Sequence, residues 1–284
     1  MLEITYTNSM GTVSMRGGAH SSPLRITDIE GLGLTDREYN VAVYSNYDGQ
    51  NTFSSRAVAR TITIALEACG KDVTTIVRNA IRIFSKEGIL HISDNETDRR
   101  IKCNQIQVPE LTRVLKGQIA TFAVQFVCDS PFFEDSTDTT SPLYERKKLI
   151  TSPFSLPCMF GEITAGAKIE IVGDVSVEPI ITIYCPQRFE NTDSIVVKNE
   201  TTGKSITLNY SPSDDEKIII DIKRRKITSS INGNIINYLT EDTFLGDFIL
   251  VSGGNVISVN MGDVTSGFTI DCQHNNLYNE AVIL

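Results

Sequence analysis

FAVQFVCDSPFF, residues 122–133, combines one strand with the residues that end it. Phe122, Val124, Phe126 and Cys128 occur at every second position, which is the pattern of a strand with one buried face. Pro131 stops the strand, because it lacks a backbone donor and forces the preceding residue out of helical space. A polar tract, DSTDTTSP at 135–142, follows. We therefore predict that this strand is the last strand of a first domain.

The length of the chain predicts two domains. At 284 residues, the chain is about twice as long as a typical domain of ~150 residues. We expect a first domain over 1–133, a linker over 134–165 that contains Pro153 and Pro157, and a second domain over 166–284. The apolar content of 40% is sufficient for a core in each domain.

The first domain is predicted to contain several strands and a single helix. Apolar residues alternate over 58–68, 89–92, 101–108 and 118–128, so these segments are expected to be strands. Asp72 is positioned to cap a helix that ends by Gly88. The apolar stripe of this helix consists of Val73, Ile76, Val77, Ala80, Ile81 and Phe84. The apolar parity changes between Cys103 and Ile106, which predicts a bulge or a break in register.

A polar hairpin precedes these strands. VAVY at 41–44 and NTFSS at 51–55 flank Asp48-Gly49, and an Asp-Gly pair favours a hairpin turn because both central positions need positive φ. The arms carry Ser, Asn and Gln on both faces, so this hairpin has little apolar surface of its own. We expect it to reach out and pack on an adjacent subunit.

The second domain is predicted to be a β-sandwich without helices. Ten short strand-like runs cover 169–172, 177–185, 194–198, 205–210, 217–222, 226–231, 234–239, 247–251, 255–260 and 267–272. Turn dipeptides such as Thr202-Gly203 and Asn232-Gly233 separate most of them. Many short strands at nearly regular spacing are typical of sandwiches and jelly rolls.

Composition excludes several classes of protein. The net charge of −9 argues against a groove that binds nucleic acid, which requires clustered Lys and Arg. The basic runs at 99–102, 146–148 and 223–226 are predicted to be solvated turns or charged edge strands. No secretory signal and no membrane span is expected, because neither an amino-terminal nor an internal apolar run is long enough. The six Cys, at 69, 103, 128, 158, 185 and 272, are expected to be reduced and mostly buried.

The search for chemistry identifies no catalytic, cofactor-binding or metal site. His20, His91 and His274 have no second ligand at metal spacing. Gly203-Lys204-Ser205 resembles the end of a phosphate loop, but Lys198 stands where the first Gly is required. The acids at 135, 138 and 214–216 lack the order of a calcium loop and are interpreted as solvated turns. We therefore predict that the protein is not an enzyme and uses no cofactor.

The order of the parts in the first half resembles the distal tail proteins of long-tailed, siphovirus-type phages. The resemblance is carried by Gly31-Leu32-Gly33, by the hairpin that ends in Arg56-Ala57-Val58-Ala59-Arg60, by the single helix, and by the closing F-x-V-x-F-x-C-D-S-P-F-F. It implies that residues 1–133 form a tail-tube-like β-sandwich or split barrel with one helix.

The second half is similar to the galectin-like jelly roll of the same family. The matching residues are Gly173, Asp174 and Pro179, the hairpin TGKSITL at 202–208, and FILVSGGNVISV at 248–259 with its Gly-x-Asn turn. Galectins stack a sugar on Trp and hold it with a His-Asn-Arg set. This chain has no Trp, and His274 is followed by Asn275-Asn276 without an Arg, so the comparison implies a scaffold rather than a glycan-binding domain.

The resemblance implies a mainly β structural protein of the virion. Such a protein is expected to form a homohexameric ring that joins the tail tube protein to the tail-tip or tail-associated protein at the baseplate. A channel through the ring would let DNA pass. An acidic lining would repel the phosphate backbone and so keep the DNA from binding to the wall. Assembly is expected in the cytoplasm of the bacterial host.

Two other classes of function remain open at the level of sequence. The first is a carbohydrate-binding module that takes part in host recognition, which a glycan array would test. The second is a hydrolase on a β scaffold, for which the chain offers neither a nucleophile nor a base. A discrete oligomer in light scattering would favour the ring instead.

Overall fold

A computed structural model describes residues 2–18, 22–46, 48–108, 111–115, 118–147, 162–186, 194–260 and 268–281. The chain forms two compact units. Unit 1 comprises Met1–Ser136 and Leu277–Leu284, and unit 2 comprises Thr137–Asn276.

Unit 1 is a mainly β unit with one α-helix among its described residues. Its elements are β1 (Glu3–Asn8), β2 (Gly11–Gly17), β3 (Leu24–Glu30), β4 (Arg37–Ala42), β5 (Asn51–Ala57), β6 (Arg60–Cys69), α1 (Val73–Phe84), β7 (Gly88–Ser93), β8 (Asp98–Cys103), β9 (Gln105–Gln107), β10 (Leu111–Leu115), β11 (Ile119–Cys128) and β12 (Phe133–Asp135). The main sheet has the order β10-β11-β6-β3-β2-β1-β7-β8-β12, with β9 also on β11. β4 and β5 form a separate two-stranded sheet.

Strand β11 supplies much of the core of unit 1. It pairs with β6 over its whole length, and the alternation predicted from the sequence is confirmed. The apolar residues on its inner face, Ala120, Phe122, Val124, Phe126 and Cys128, are all buried. The Phe126 ring lies 5.3 Å from that of Tyr6 and 5.7 Å from that of Phe84 on the helix. Burial of each such ring stabilises the unit by about 1.5–3 kcal/mol.

The helix begins where the sequence predicts and ends earlier. The side chain of Asp72 accepts a hydrogen bond from the backbone of Thr75 at 3.4 Å, as expected of an N-cap. The helix ends at Phe84, whereas the sequence suggested an end at Gly88. Gly88 instead starts β7, where a Cβ atom would lie 2.5 Å from the carbonyl oxygen of Thr7. The glycine therefore permits β7 to lie close against β1.

The predicted break in register is the point at which the chain changes its neighbour. β8 ends at Cys103 on β7, and β9 starts at Gln105 on β11. The backbone of the residue between them, Asn104, donates to the carbonyl of Val127 at 3.0 Å. One intervening residue exchanges the two faces of a strand, which accounts for the change in apolar parity.

Unit 2 is a second β structure. Its strands are β13 (Thr139–Lys147), β14 (Glu162–Ile171), β15 (Ile180–Cys185), β16 (Ile195–Asn199), β17 (Lys204–Leu208), β18 (Glu216–Asp221), β19 (Lys226–Ser229), β20 (Gly233–Asn234), β21 (Gly253–Asn260) and β22 (Thr269–His274). They are ordered β17-β16-β21-β14-β13-β22-β15-β18-β19-β20. A last strand, β23 (Leu277–Tyr278), returns to unit 1 and pairs with β12.

Several boundaries differ from those expected. Strands β13 and β14 lie in the sheet of unit 2, although both begin within the segment 134–165 that was expected to be a linker. The end of the chain, expected in the second domain, packs in unit 1. Two runs expected to be strands differ from that expectation: 234–239 is largely replaced by a 3-10 turn at Ile236–Tyr238, and 247–251 follows a 3-10 turn at Leu245–Asp247 and makes only an isolated bridge from Leu250 to Val177. Short apolar runs leave strand and turn undecided, because periodicity needs more residues than these provide.

Candidate functional site

The ribbon, formed by β4 and β5 over residues 37–57, is a two-stranded sheet separate from the main sheet of unit 1. The predicted hairpin is confirmed, but its loop is wider than a two-residue turn, because Ala42 pairs with Asn51. Its side chains are largely exposed on both faces. Tyr39, Val43 and Phe53 are 58%, 73% and 63% exposed. Since an isolated hairpin is marginally stable in water and exposed apolar groups mark interaction sites, the ribbon is a candidate surface for contact with another protein.

The base of the ribbon is held close to the sheet. The backbone of Val58 donates to the carbonyl of Asp36 at 3.1 Å, which joins the two ends of the ribbon. On the entry side, Gly31 has φ of +90°, and a Cβ atom there would collide with the carbonyl of Thr61 in β6. A side chain would therefore push the segment before the ribbon away from β6.

The Arg60 anchor is the buried guanidinium of Arg60 together with the backbone carbonyls that it binds. Arg60 is only 4% exposed and donates hydrogen bonds of 2.6–2.7 Å. The four acceptors are the carbonyl oxygens of Gly31, Gly33, Pro131 and Asn279. The guanidinium carbon also lies 4.5 Å from the centre of the Phe133 ring. The anchor thus joins three segments that are distant in sequence: the approach to the ribbon, the end of the 122–133 stretch and the end of the chain.

Burial has an electrostatic consequence for Arg60. Desolvation lowers the pKa of its guanidinium from the ordinary value, while the nearby acids Asp36 and Glu280 act in the opposite direction. An arginine nevertheless stays charged in a folded protein. The four carbonyl dipoles therefore compensate a full buried charge, and the loss of any of these contacts is costly.

The end of the chain is held by a second arginine. Arg99 is buried and binds Glu280 through the backbone carbonyl and, at 3.3 Å, through the carboxylate. Its guanidinium carbon lies 3.7 Å from the centre of the Tyr278 ring. The backbone of Ala281 donates to Leu32 at 2.9 Å. The interpretation of the run at 99–102 as a solvated turn or a charged edge strand is therefore wrong for Arg99, because its side chain is buried and β8 lies between β7 and β12.

Unit 2 contains a buried asparagine pair, one member of which, Asn255, lies in the 248–259 segment that carries the galectin-like resemblance. Asn199 and Asn255 are both fully buried, and the Asn199 amide donates to Oδ1 of Asn255 at 3.2 Å. Asn255 also accepts from the backbone of Val251 at 2.9 Å and donates to Val251 and Gly253 at 2.7 and 3.1 Å. Its role in the Gly-x-Asn turn is therefore structural: it satisfies the backbone of the turn that begins β21.

A buried carboxylate lies in the acidic run that was interpreted as a solvated turn. Glu216 is fully buried, so that interpretation is wrong for this residue. It accepts hydrogen bonds from the Tyr210 hydroxyl at 2.6 Å, from the Ser213 backbone at 2.7 Å and from the Ser229 hydroxyl. Asn232 in turn donates to the Tyr210 hydroxyl at 2.6 Å. The cluster fixes the loop before β18 and presents no open face to a ligand.

The remaining candidate residues do not come together as a reactive site. His91 lies in β7 and His274 at the end of β22, while His20 is outside the described residues. Across the described ranges, no three His, Cys, Asp or Glu side chains are grouped as a metal site requires. Five of the cysteines are free thiols: Cys69 is half-buried, and the buried ones are Cys103, Cys128, Cys185 and Cys272. Cys158 lies outside the described residues. Of the helices that can be described, none is long and apolar enough to span a membrane.

His274 is expected to make the stability of unit 2 dependent on pH. It is buried, and its Nδ1 has no hydrogen-bond partner among the described residues. Burial lowers its pKa from the ordinary 6.5, so the unfolded chain takes up a proton at a higher pH than the folded chain does. Stability is therefore fully present above pH 6.5 and falls as the pH is lowered towards the folded pKa. Hydrogen exchange of unit 2 peptides between pH 5 and 8, corrected for the intrinsic exchange rate, measures this loss.

The substitution His274→Gln is expected to flatten that pH dependence, because the amide does not titrate. His91→Gln in unit 1 is the matched control and should leave the pH profile of unit 2 unchanged. An unaltered profile in the His274 variant would assign the effect to another group.

Comparison with known proteins identifies a family match within unit 2 and a similar fold for nearly the whole chain. Residues 172–274 match the family model of the siphovirus-type tail component, C-terminal domain. The crystal structure of SPP1 Dit (gp 19.1), described as a paradigm of the hub adsorption apparatus in phages that infect Gram-positive bacteria, has a TM-score of 0.67 and 11% identity. The match covers 97% of this chain and 99% of that chain. No curated protein sequence matches this chain.

Two structures of the phage p2 baseplate in its activated conformation are also similar. The structure with Sr has a TM-score of 0.48 and 12% identity, and the structure with Ca has 0.46 and 13%. Each match covers 96% of this chain and 98% of the other. The mainly β fold class and the family resemblance predicted from the sequence are confirmed by the family model and the SPP1 Dit fold.

Proposed function

We propose that the protein is a structural hub at the distal end of a phage tail, because residues 172–274 match the siphovirus-type tail component family and the chain has a fold similar to that of SPP1 Dit. In this role it joins the tail tube to the adsorption apparatus. The family match of residues 172–274 carries the proposal, and the fold likeness extends it to unit 1. The protein acts by assembly and performs no chemistry.

The assembly proposed is a homohexameric ring with a central channel. The ribbon supports it, because its exposed Tyr39, Val43 and Phe53 have no core of their own to pack against. A second copy of the chain would cover these groups and stabilise the ribbon. The partners on either side of the ring would be the tail tube protein and a tail-tip or tail-associated protein.

Net charge is consistent with a conduit for DNA. A chain with net charge −9 repeated around a ring would repel the phosphate backbone and let it pass without binding. The ring would be built in the bacterial cytoplasm and carried in the virion. A positively charged channel in the assembled ring would contradict this part of the proposal.

The alternative, a carbohydrate-binding module, gains no support from the residues that suggested it. The side chain of His274 is buried. Asn275 is turned to Asp138, to which its amide donates at 2.8 Å. These side chains are engaged in the fold of unit 2.

Mass measurement tests the ring directly. Light scattering and negative-stain imaging of the purified protein, alone and with its tail tube protein, should reveal a hollow ring of about six times the 31.4 kDa of one chain. A monomer in both preparations over a wide range of concentration would refute the ring.

Shortening the ribbon is expected to abolish assembly without unfolding the protein. Glu38 and Arg56 face each other across the ribbon, so a two-residue Asn-Gly turn can join them in place of residues 39–55. The expected result is a fall in mass to that of the monomer, with an unchanged circular dichroism spectrum and thermal midpoint.

Side-chain substitutions test the contacts of the ribbon without shortening its backbone. The double substitution of Tyr39→Ser and Phe53→Ser should weaken association at least about tenfold, since buried aromatic side chains dominate interfaces. Asn51→Ser, in the same ribbon, is the control and should leave the mass unchanged. Oligomers that withstand both the deletion and the double substitution would show that the ribbon is not the contact.

A further inference from the structure

Two buried thiols meet where β8 and β11 end. Cys103 is the last residue of β8 and Cys128 the last residue of β11. Both are fully buried, and their sulfur atoms are 3.5 Å apart. The backbone hydrogen bond from Asn104 to Val127 holds the two segments of the chain side by side at this point.

We propose that Cys103 and Cys128 are a modification site, at which a low-molecular-weight disulfide such as oxidised glutathione converts the two thiols into an intrachain disulfide. One thiolate attacks the reagent, forms a mixed disulfide and releases one reduced thiol. The second thiolate then attacks the protein sulfur of that mixed disulfide and releases the other reduced thiol. Two protein thiols are oxidised, one reagent disulfide is reduced, and both protons are transferred to the released thiols.

The local geometry allows this bond. A disulfide joins sulfur atoms at about 2.05 Å, so the sulfurs must approach by about 1.5 Å. The hydrogen bond from Asn104 to Val127 already holds the backbone beside the two cysteines together, so side-chain rotation is expected to supply the remaining movement. The two residues differ by 25 positions in sequence, and closing a loop of this length restricts the unfolded chain.

The surroundings determine how fast the bond forms. The hydrogen bond with Cys128 and burial raise the pKa of Cys103 above its ordinary value. Since the thiolate is the attacking species, the folded protein is expected to react slowly and through local opening of β8 and β9. A concentration of urea below the unfolding transition should therefore accelerate oxidation.

The cross-link would act on the segment that leaves unit 1. Cys128 directly precedes the residues 129–133 that Arg60 holds, and it faces Arg60 in the pairing of β11 with β6. A bond to β8 would fix the start of this segment as well as its end. This inference concerns the chain itself and does not depend on the proposed function.

The experiment is oxidation of the full-length protein by oxidised glutathione, followed by mass spectrometry and non-reducing peptide mapping. The expected result is a loss of two hydrogen atoms, a peptide pair linked through Cys103 and Cys128, and a rise in the thermal midpoint of unit 1 on the order of 10 °C. Cys128→Ser should prevent this linkage, and the matched variant Cys69→Ser should retain it.

A linkage between any other two cysteines, or glutathione adducts alone, would overturn the proposal. Should Cys128→Ser fold poorly, Cys128→Ala keeps the test intact, because alanine is tolerated at a small buried position. If the wild-type protein formed no disulfide between Cys103 and Cys128 even in the presence of urea, the proposal would also be overturned.

Discussion

Replacement of Arg60 by leucine is expected to destabilise unit 1 by about 3–5 kcal/mol. The leucine fills part of the space but leaves the carbonyls of Gly31, Gly33, Pro131 and Asn279 without their donor. A buried polar group that loses its partner costs about 1–3 kcal/mol, and relaxation of the three segments limits the sum. Hydrogen exchange of unit 1 peptides measures the change separately from unit 2.

The expected pattern of loss is specific to the anchor. Segments 31–33, 129–133 and 277–281 should lose protection together, because one side chain holds all three. Arg60→Lys should recover only part of the stability, since a single ammonium cannot reproduce the planar fork of a guanidinium.

Arg56→Leu is the matched control. Arg56 is on the ribbon, where 79% of its side chain is exposed and its ion pair with Glu38 is solvated. Its loss should change the stability of unit 1 by less than about 0.5 kcal/mol. If Arg60→Leu were as mild as this control, the anchor would not be a stabilising feature.

In unit 2, Asn255→Ala is expected to destabilise the fold by about 2–4 kcal/mol. The alanine removes two donors and one acceptor that serve Asn199, Val251 and Gly253 in a fully buried position. Water cannot replace these contacts without opening the turn that begins β21. Urea denaturation followed by hydrogen exchange of unit 2 peptides determines the magnitude.

Asn199→Ala and the double variant complete a cycle for this asparagine pair. Because the two side chains share a hydrogen bond, their effects should be less than additive. Asn209→Ala provides the control in the same unit, since Asn209 is exposed and should change stability by less than about 0.5 kcal/mol. Full additivity within the cycle would show that the pair does not act as a unit.

Local patterns in the sequence predicted much of the fold. The alternation in 122–133, the cap at Asp72 and the change of parity after Cys103 each depend on residues close together in the chain. Hairpins and caps are local in the same sense, so they were recoverable from one sequence. Short apolar runs such as 234–239 were not, because three or four residues fit a strand and a turn equally well.

The Arg60 anchor was visible in the sequence only as an irregularity, and the return of the chain to unit 1 was not predicted. Arg60 stands out as a charge on an otherwise apolar strand face, which signals a buried partner but does not identify it. The partner Asn279 is 219 residues away, and no periodicity connects the two. The run at 99–102 had the composition of a solvated segment, yet Arg99 is buried against the end of the chain.

The sequence by itself therefore determined a mainly β chain with one helix and the family that the arrangement resembles. Tertiary structure alone decided which polar groups are buried and what they hold. The physical reason is that apolar alternation reflects the face of a single strand, whereas the partner of a buried charge depends on segments brought together by the whole fold. In this protein the sequence reveals that Pro131 follows the strand that ends at Cys128, but only the fold shows that Arg60 binds the Pro131 carbonyl.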